Sequence, residues 1–292
     1  MNRRDMIRTS IAGGLGATAL GPAGLAAATR PVRPTRPVPR DPSDQLQEAT
    51  LLGIEYFRQR CDDQLPTVVA LHEAIKGGDL EAARRAYIEA RPPYEEIETI
   101  AGCFEESDAD IDARPYAFEG GETDPEFRGF HRIENLIFAA DDVESARPYS
   151  EQLIASIKRL RAELDEEARF SPEGQFDGMV ALTNEVAAKK VSSEEETWSD
   201  QSVLIFKHNW IGAHSQFLPF GMMHGRDRPS VKAVNEAFND AQVTVQAYFT
   251  PGTVAAAPYS SVPIRQRRAI ADASNRYRDA IIVVRDELGI SG

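Results

Sequence analysis

The sequence predicts an all-α protein. Apolar residues recur at three- and four-residue spacing over most of positions 46–292, caps and Gly or Pro punctuate those stripes, and strand-forming runs are scarce. Such a pattern favours up-and-down helical bundles, and two halves split near Phe170 suit a chain of 292 residues.

Taken in order, Leu46, Ala49, Leu51, Ile54 and Phe57 share a face of a first helix that opens at Ser43 as N-cap, is expected to kink at Pro66, and ends at Gly77-Gly78. Asp79 caps a second helix over 80–91, where Pro92-Pro93 should interrupt it, and helix resumes over 94–104. Positions 105–123 are acidic and glycine-containing, so they read as a loop. Asp124-Pro125 then has the form of a cap followed by a first-turn proline, which would open a helix through residue 140. Further helices fit 146–170, 176–191, 200–217, 230–247 and 263–288. The last carries a β-branched patch, Ile281 to Val284, that resembles a strand.

The amino-terminal 45 residues differ in kind. Arg3-Arg4, a Gly/Ala-rich apolar stretch and Ala26 to Ala28 make residues 1–28 an expected export signal of the twin-arginine type. Prolines at 31, 34, 37, 39 and 42 make 29–45 an extended spacer, which leaves 46–292 as the helical domain. The expected location is periplasmic, or otherwise outside the cytoplasmic membrane, with no membrane insertion after signal cleavage. Cys61 and Cys103 are there either a disulfide or two buried thiols.

Charge follows the same boundary. The formal net charge is −13, yet residues 1–45 carry +4, so the remainder carries −17. A body this acidic repels phosphate backbones and anionic lipid, which excludes nucleic acid as an expected partner and favours cations. One segment has the residues to hold a cation. Gly129-Phe130-His131-Arg132-Ile133-Glu134 sets His131 and Glu134 at i and i+3, about 5–6 Å apart on one helical face. Bundle metal sites pair such a His and Glu with carboxylates from facing helices. Glu95, Glu96 and Glu98 after the proline pair, and Asp108, Asp110 and Asp112 in the acidic stretch, are the nearby carboxylates. His72 reads as a boundary residue, His208 and His214 as core packing among aromatics, and His224 as part of a Met-containing turn.

These segments resemble the imelysin-like family, in particular the EfeO/EfeM-type component of Efe iron uptake systems. The likeness is carried by Ala90-Arg91-Pro92-Pro93-Tyr94-Glu95-Glu96-Ile97-Glu98, Asp110-Ile111-Asp112-Ala113-Arg114 and the His131 segment. Glu185-Val186-Ala187-Ala188-Lys189-Lys190, Glu194-Glu195-Glu196, Phe206, Asn209 and Gly212 extend it. The resemblance implies a pair of four-helix bundles in one elongated domain, and a metal held by Glu95, Asp112, His131 and Glu134. The spacer leads directly into the helical domain, so the expected form is the short one, without a cupredoxin-like domain. One imidazole and three carboxylates suit iron, manganese or zinc alike better than Cu(I), and the resemblance implies iron among them. Glu98 and Arg132 are candidate outer partners of that centre, with a plain surface salt bridge the favoured reading of Arg132.

The function implied is capture of iron outside the cytoplasm and its delivery to a membrane permease, without enzymatic activity. Two alternatives stand beside it. A metallopeptidase would want H-E-x-x-H, but His72-Glu73 is followed by Ala74-Ile75-Lys76. A metal-dependent binder of acidic polysaccharide would use aromatic platforms such as Tyr94, Tyr116, Trp198 and Trp210.

Overall fold

The computed structural model describes residues 41–192 and 195–291. The expected signal, and the spacer as far as residue 40, lie outside them. Among the described residues the protein is all-α: nine α-helices joined by short 3₁₀ turns, with one isolated β-bridge between Phe249 and Ala256. None of these helices is long and apolar enough to cross a membrane.

Helix α1 (Pro42–Lys76) begins inside the expected spacer. Its cap is Asp41, not Ser43: the Asp41 carboxylate accepts the Ser43 N–H at 3.0 Å, and Pro42 occupies a first-turn position that needs no N–H. The helix continues past Pro66 and stops at Gly77-Gly78, where Gly78 takes φ +74°. Helix α2 (Leu80–Ile97), capped by Asp79, likewise runs through Pro92-Pro93 instead of breaking there. Residues 90–97 are all buried in this stretch, and Gln64 of α1 donates to the Ala90 carbonyl at 2.7 Å, so tertiary packing outweighs the two missing N–H groups.

The acidic stretch is not simply a loop. Helix α3 (Glu105–Asp112) forms because Ile111 is buried at its base and Asp110 receives Arg128 and Arg159 at 2.5 Å each. Asp124 caps no long helix. It closes a turn by accepting from the Gly120 and Glu126 N–H groups, and α4 (Phe130–Glu134) starts later, at Gly129. Gly129 has φ +81°, and a Cβ there would lie 2.3 Å from the Ile111 carbonyl oxygen, so only glycine lets α4 meet the end of α3. A π-helical turn, Asn135–Ala139, follows.

The remaining helices are α5 (Arg147–Glu163), α6 (Pro172–Ala188), α7 (Ser202–His224), α8 (Pro229–Gln246) and α9 (Ile264–Glu287). The β-branched patch in α9 is helical because Ile281 and Val284 face the core while Val283 remains exposed. Cys61 and Cys103 are free thiols, Cys61 being buried against the Ile157 carbonyl.

The apolar core falls into two clusters. One is built around Phe57, Tyr87, Tyr94, Phe130 and Leu160, the other around Phe176, Phe206, Trp210, Phe217 and Tyr277. The end of α2 and the turn after it are held between them by two glycines. A Cβ at Gly178 of α6 would lie 2.0 Å from the Thr99 carbonyl oxygen, and one at Gly212 of α7 would lie 2.1 Å from that of Glu96. Gly212→Ala is therefore expected to destabilise the fold by about 1–3 kcal/mol, the usual cost of overpacking, since backbone must move to make room. Urea unfolding of the variant against wild type measures it.

Candidate metal centre

Four elements bring charged side chains to one buried point. Helix α2 contributes Arg91 and Glu95, and the end of α3 contributes Asp112. Helix α4 contributes His131 and Glu134, while the segment before α7 contributes Glu195 and Glu196. All seven are buried. On α4, the i,i+3 spacing sets His131 Nδ1 3.0 Å from Glu134 Oε2. The other Glu134 oxygen accepts the backbone N–H groups of Trp198 and Ser199, at 2.9 and 2.8 Å. Those bonds orient the carboxylate and fasten 195–199 against α4. As a result His131, Glu134 and Glu196 each offer a ligand atom within 4.8 Å of the others.

Of the four residues expected from the sequence, His131 and Glu134 are in direct contact. Asp112 approaches the opposite imidazole nitrogen, with Oδ1 at 3.4 Å from Nε2, a contact too poorly directed to satisfy that buried nitrogen. Glu95 makes its contact through Arg91. The guanidinium of Arg91 is fully buried and pairs with Glu95, with Asp112 Oδ1 at 2.7 Å and with Glu196 Oε1 at 2.8 Å. Its face also lies 4.6 Å from the centre of the Phe130 ring.

A second buried cation adjoins the first. Lys190 Nζ lies 2.8 Å from Glu98, 3.1 Å from Glu195 and 3.9 Å from Glu95. Arg114 joins Glu195 at 2.9 Å and Asp112 at 3.4 Å. Glu95, Glu98, Asp112, Glu134, Glu195 and Glu196 thus outnumber Arg91, Arg114 and Lys190 two to one.

The imbalance shows in how the groups titrate. Burial pushes Glu196 up to about 7, with the Glu134 charge adding to it. Burial also raises Glu98 to about 7 against the pull of Lys190, and holds Glu95 well above the carboxylate range despite Arg91. Asp112 and Glu134 move the other way. For both, burial opposes ionisation, but Arg91 and His131 hold Asp112 well below its ordinary value, and His131 with the two backbone N–H groups lowers Glu134. His131 itself is raised, because Asp112 and Glu134 outweigh burial and Arg114. A site with surplus buried carboxylates and an unsatisfied imidazole nitrogen is short of positive charge, which a metal ion supplies.

A cleft of about 650 Å³ reaches this cluster at Glu98, Asp112 and Arg114, and is also lined by Asp108, Asp177 and Glu185. Asp108 sits in its wall with a carboxyl raised to about 6 by burial and by Asp112. Arg132 has no part in the centre: it donates to the Glu122 carbonyl and lies over the Phe127 and Tyr149 rings.

Sequence reasoning missed Glu196 and Arg91 as members of the site. Both stand in segments that carry the family resemblance, but no spacing rule places Glu196 beside a helix 62 positions earlier. His208 was misread too. It is no aromatic core filler but pairs with buried Glu96 at 2.7 Å, alongside Tyr56 and Arg60. His214 does stack among aromatics, its ring centre 3.9 Å from that of Phe238 and the two planes nearly parallel.

Comparison with known proteins agrees with this architecture. The chain is similar to iron uptake system component EfeO of Yersinia pseudotuberculosis, with 32% identity over 196 residues, covering 67% of this chain and 52% of that protein. It is also similar to EfeO of Escherichia coli, with 38% identity over 144 residues, covering 49% and 38% respectively. The chain therefore spans about half or less of the length of the curated relatives it matches. The fold is that of the crystal structure of an iron-regulated protein A precursor from Parabacteroides distasonis. The TM-score is 0.62 at 14% identity, covering 84% of this chain and 95% of that one. The imelysin profile (Peptidase_M75) matches residues 62–281, three quarters of the sequence, and the chain belongs to the imelysin family.

Proposed function

We propose that this protein binds a metal ion, iron in the first place, outside the cytoplasmic membrane and passes it to a membrane permease. The ion is cargo, and no reaction is performed on it. The observation that carries the reading is the convergence of His131, Glu134 and Glu196 donor atoms within 4.8 Å in a buried, carboxylate-rich site. Asp112 and Glu95, expected as ligands from the sequence, complete the donor set once Arg91 shares them. The names of the EfeO relatives support iron over the zinc and manganese that the same oxygen and imidazole donors accept. The acidic lining of the cleft draws cations inward and opposes acidic polysaccharide. A hydrolytic role lacks its H-E-x-x-H helix, and casein incubated with the protein should remain intact with or without a chelator.

Ion uptake must compete with protons. Glu196, raised to about 7, and His131, raised above its ordinary value by Asp112 and Glu134, each have to release a proton before ligating. Affinity is thus expected to fall as pH drops from about 8 to about 6 through the Glu196 value of about 7, by about tenfold per unit for each proton displaced. Calorimetric titration of chelator-stripped protein with Zn(II) across that range tests this. A pH-independent affinity would remove both groups from the site.

A further inference from the structure

We propose that Arg91 is a built-in competitor for the cation position, so that an entering metal ion must displace its guanidinium from the carboxylates that then ligate the ion. This deepens the reading above and rests on it.

The carboxylate oxygens around His131 are already divided among protein donors. Arg91 takes Oδ1 of Asp112 and Oε1 of both Glu95 and Glu196. The second oxygens are also engaged. Asp112 Oδ2 faces Arg114, Glu196 Oε2 accepts from Ser199 Oγ, and Glu95 Oε2 accepts from Asn209 at 3.1 Å. On Glu134, the oxygen toward the backbone is committed, which leaves Oε2 beside His131. An ion arriving at His131 and Glu134 thus meets Asp112, Glu196 or Glu95 only by taking them from a protein donor, and Arg91 is the donor that these three share.

Its contacts show the compromise. Arg91 Nε and Nη2 and Glu95 Oε1 are fully buried and make no well-directed hydrogen bond, although charged partners are within reach. These are charge contacts, the kind that a cation of higher charge replaces. A guanidinium and a metal ion held by the same carboxylates also repel one another across a few ångströms of buried, low-dielectric space.

A residue that merely oriented the carboxylates would have the opposite effect when altered, because loosened ligands bind worse. Lysine keeps the charge, but its donors all radiate from one nitrogen, so it cannot reproduce the separate Nε, Nη1 and Nη2 contacts by which the guanidinium spans Glu196, Asp112 and Glu95. The experiment titrates chelator-stripped wild type, Arg91→Lys and Arg91→Gln with Zn(II), and with Fe(II) under anaerobic conditions. Thermal unfolding of the ion-free proteins checks their folding. The expected result is binding at least about tenfold tighter in Arg91→Lys, and tighter again in Arg91→Gln where it folds. Equal or weaker binding in Arg91→Lys, with wild type binding normally, overturns the proposal alone. No binding by any of the three overturns the metal-capture reading as well.

A crystal of the wild type soaked in Zn(II) provides a test that needs no variant. Arg91 Nη1 should lie beyond hydrogen-bond distance of Asp112 Oδ1 when the ion is bound, and an unchanged contact beside a bound ion contradicts displacement.

Discussion

Replacing His131 and Glu134 together by alanine should reduce metal affinity by at least about a hundredfold while leaving the protein folded. The estimate is a lower bound, since losing even an outer partner of a metal ligand costs about ten- to a hundredfold. These two side chains are adjacent on α4 and share the Nδ1–Oε2 contact at 3.0 Å, so removing both deletes the one His/Glu pair of the site. It also removes a buried carboxylate from a cluster that has too many of them, which limits the loss of stability. The backbone N–H groups of Trp198 and Ser199 lose their acceptor, however, so 195–199 should become easier to open. Equilibrium binding of Zn(II) and Fe(II) measures the first effect and amide exchange at Trp198 and Ser199 the second. Retained affinity would move the site elsewhere.

Lys190→Met should lower the unfolding free energy by about 3–5 kcal/mol, the usual result of removing one partner from a buried ion pair. Lys190 is 1% exposed and neutralises Glu98 and Glu195 at once. The loss should depend on pH. Glu98 titrates at about 7 even with Lys190 present, and without the ammonium it moves higher. Below that value the carboxyl is neutral and the missing cation matters little, so the penalty should be largest at about pH 8 and shrink on acidification. Urea unfolding at both ends of that range checks the direction. The double variant Lys190→Met/Glu98→Gln should recover much of the stability, because it removes both charges and not one.

Much of the fold was legible because helix stripes and caps are local. Asp79, the Gly77-Gly78 stop and the 3.6-residue stripes of α5, α8 and α9 placed helices near where they occur. The errors arise where packing overrides local preference. Pro92-Pro93 should break α2 by its chemistry, yet the turn is buried on all sides and Gln64 donates into it. The acidic stretch holds α3 because Arg128 and Arg159, from distant positions, neutralise Asp110. For the site, the His131/Glu134 pair is a two-residue pattern on one helix and was readable as such. Glu196 and Arg91 were not, because their roles exist only after four segments have met. The two glycines that admit this meeting, Gly178 and Gly212, gain their meaning from the Thr99 and Glu96 carbonyls they touch.

The central claim is that His131 helps hold a metal ion as cargo, and elemental analysis of the protein recovered from its native host tests it most directly. The account predicts stoichiometric iron in the wild type and a trace in His131→Ala prepared in parallel. No metal in either protein, or the same metal content in both, would contradict it.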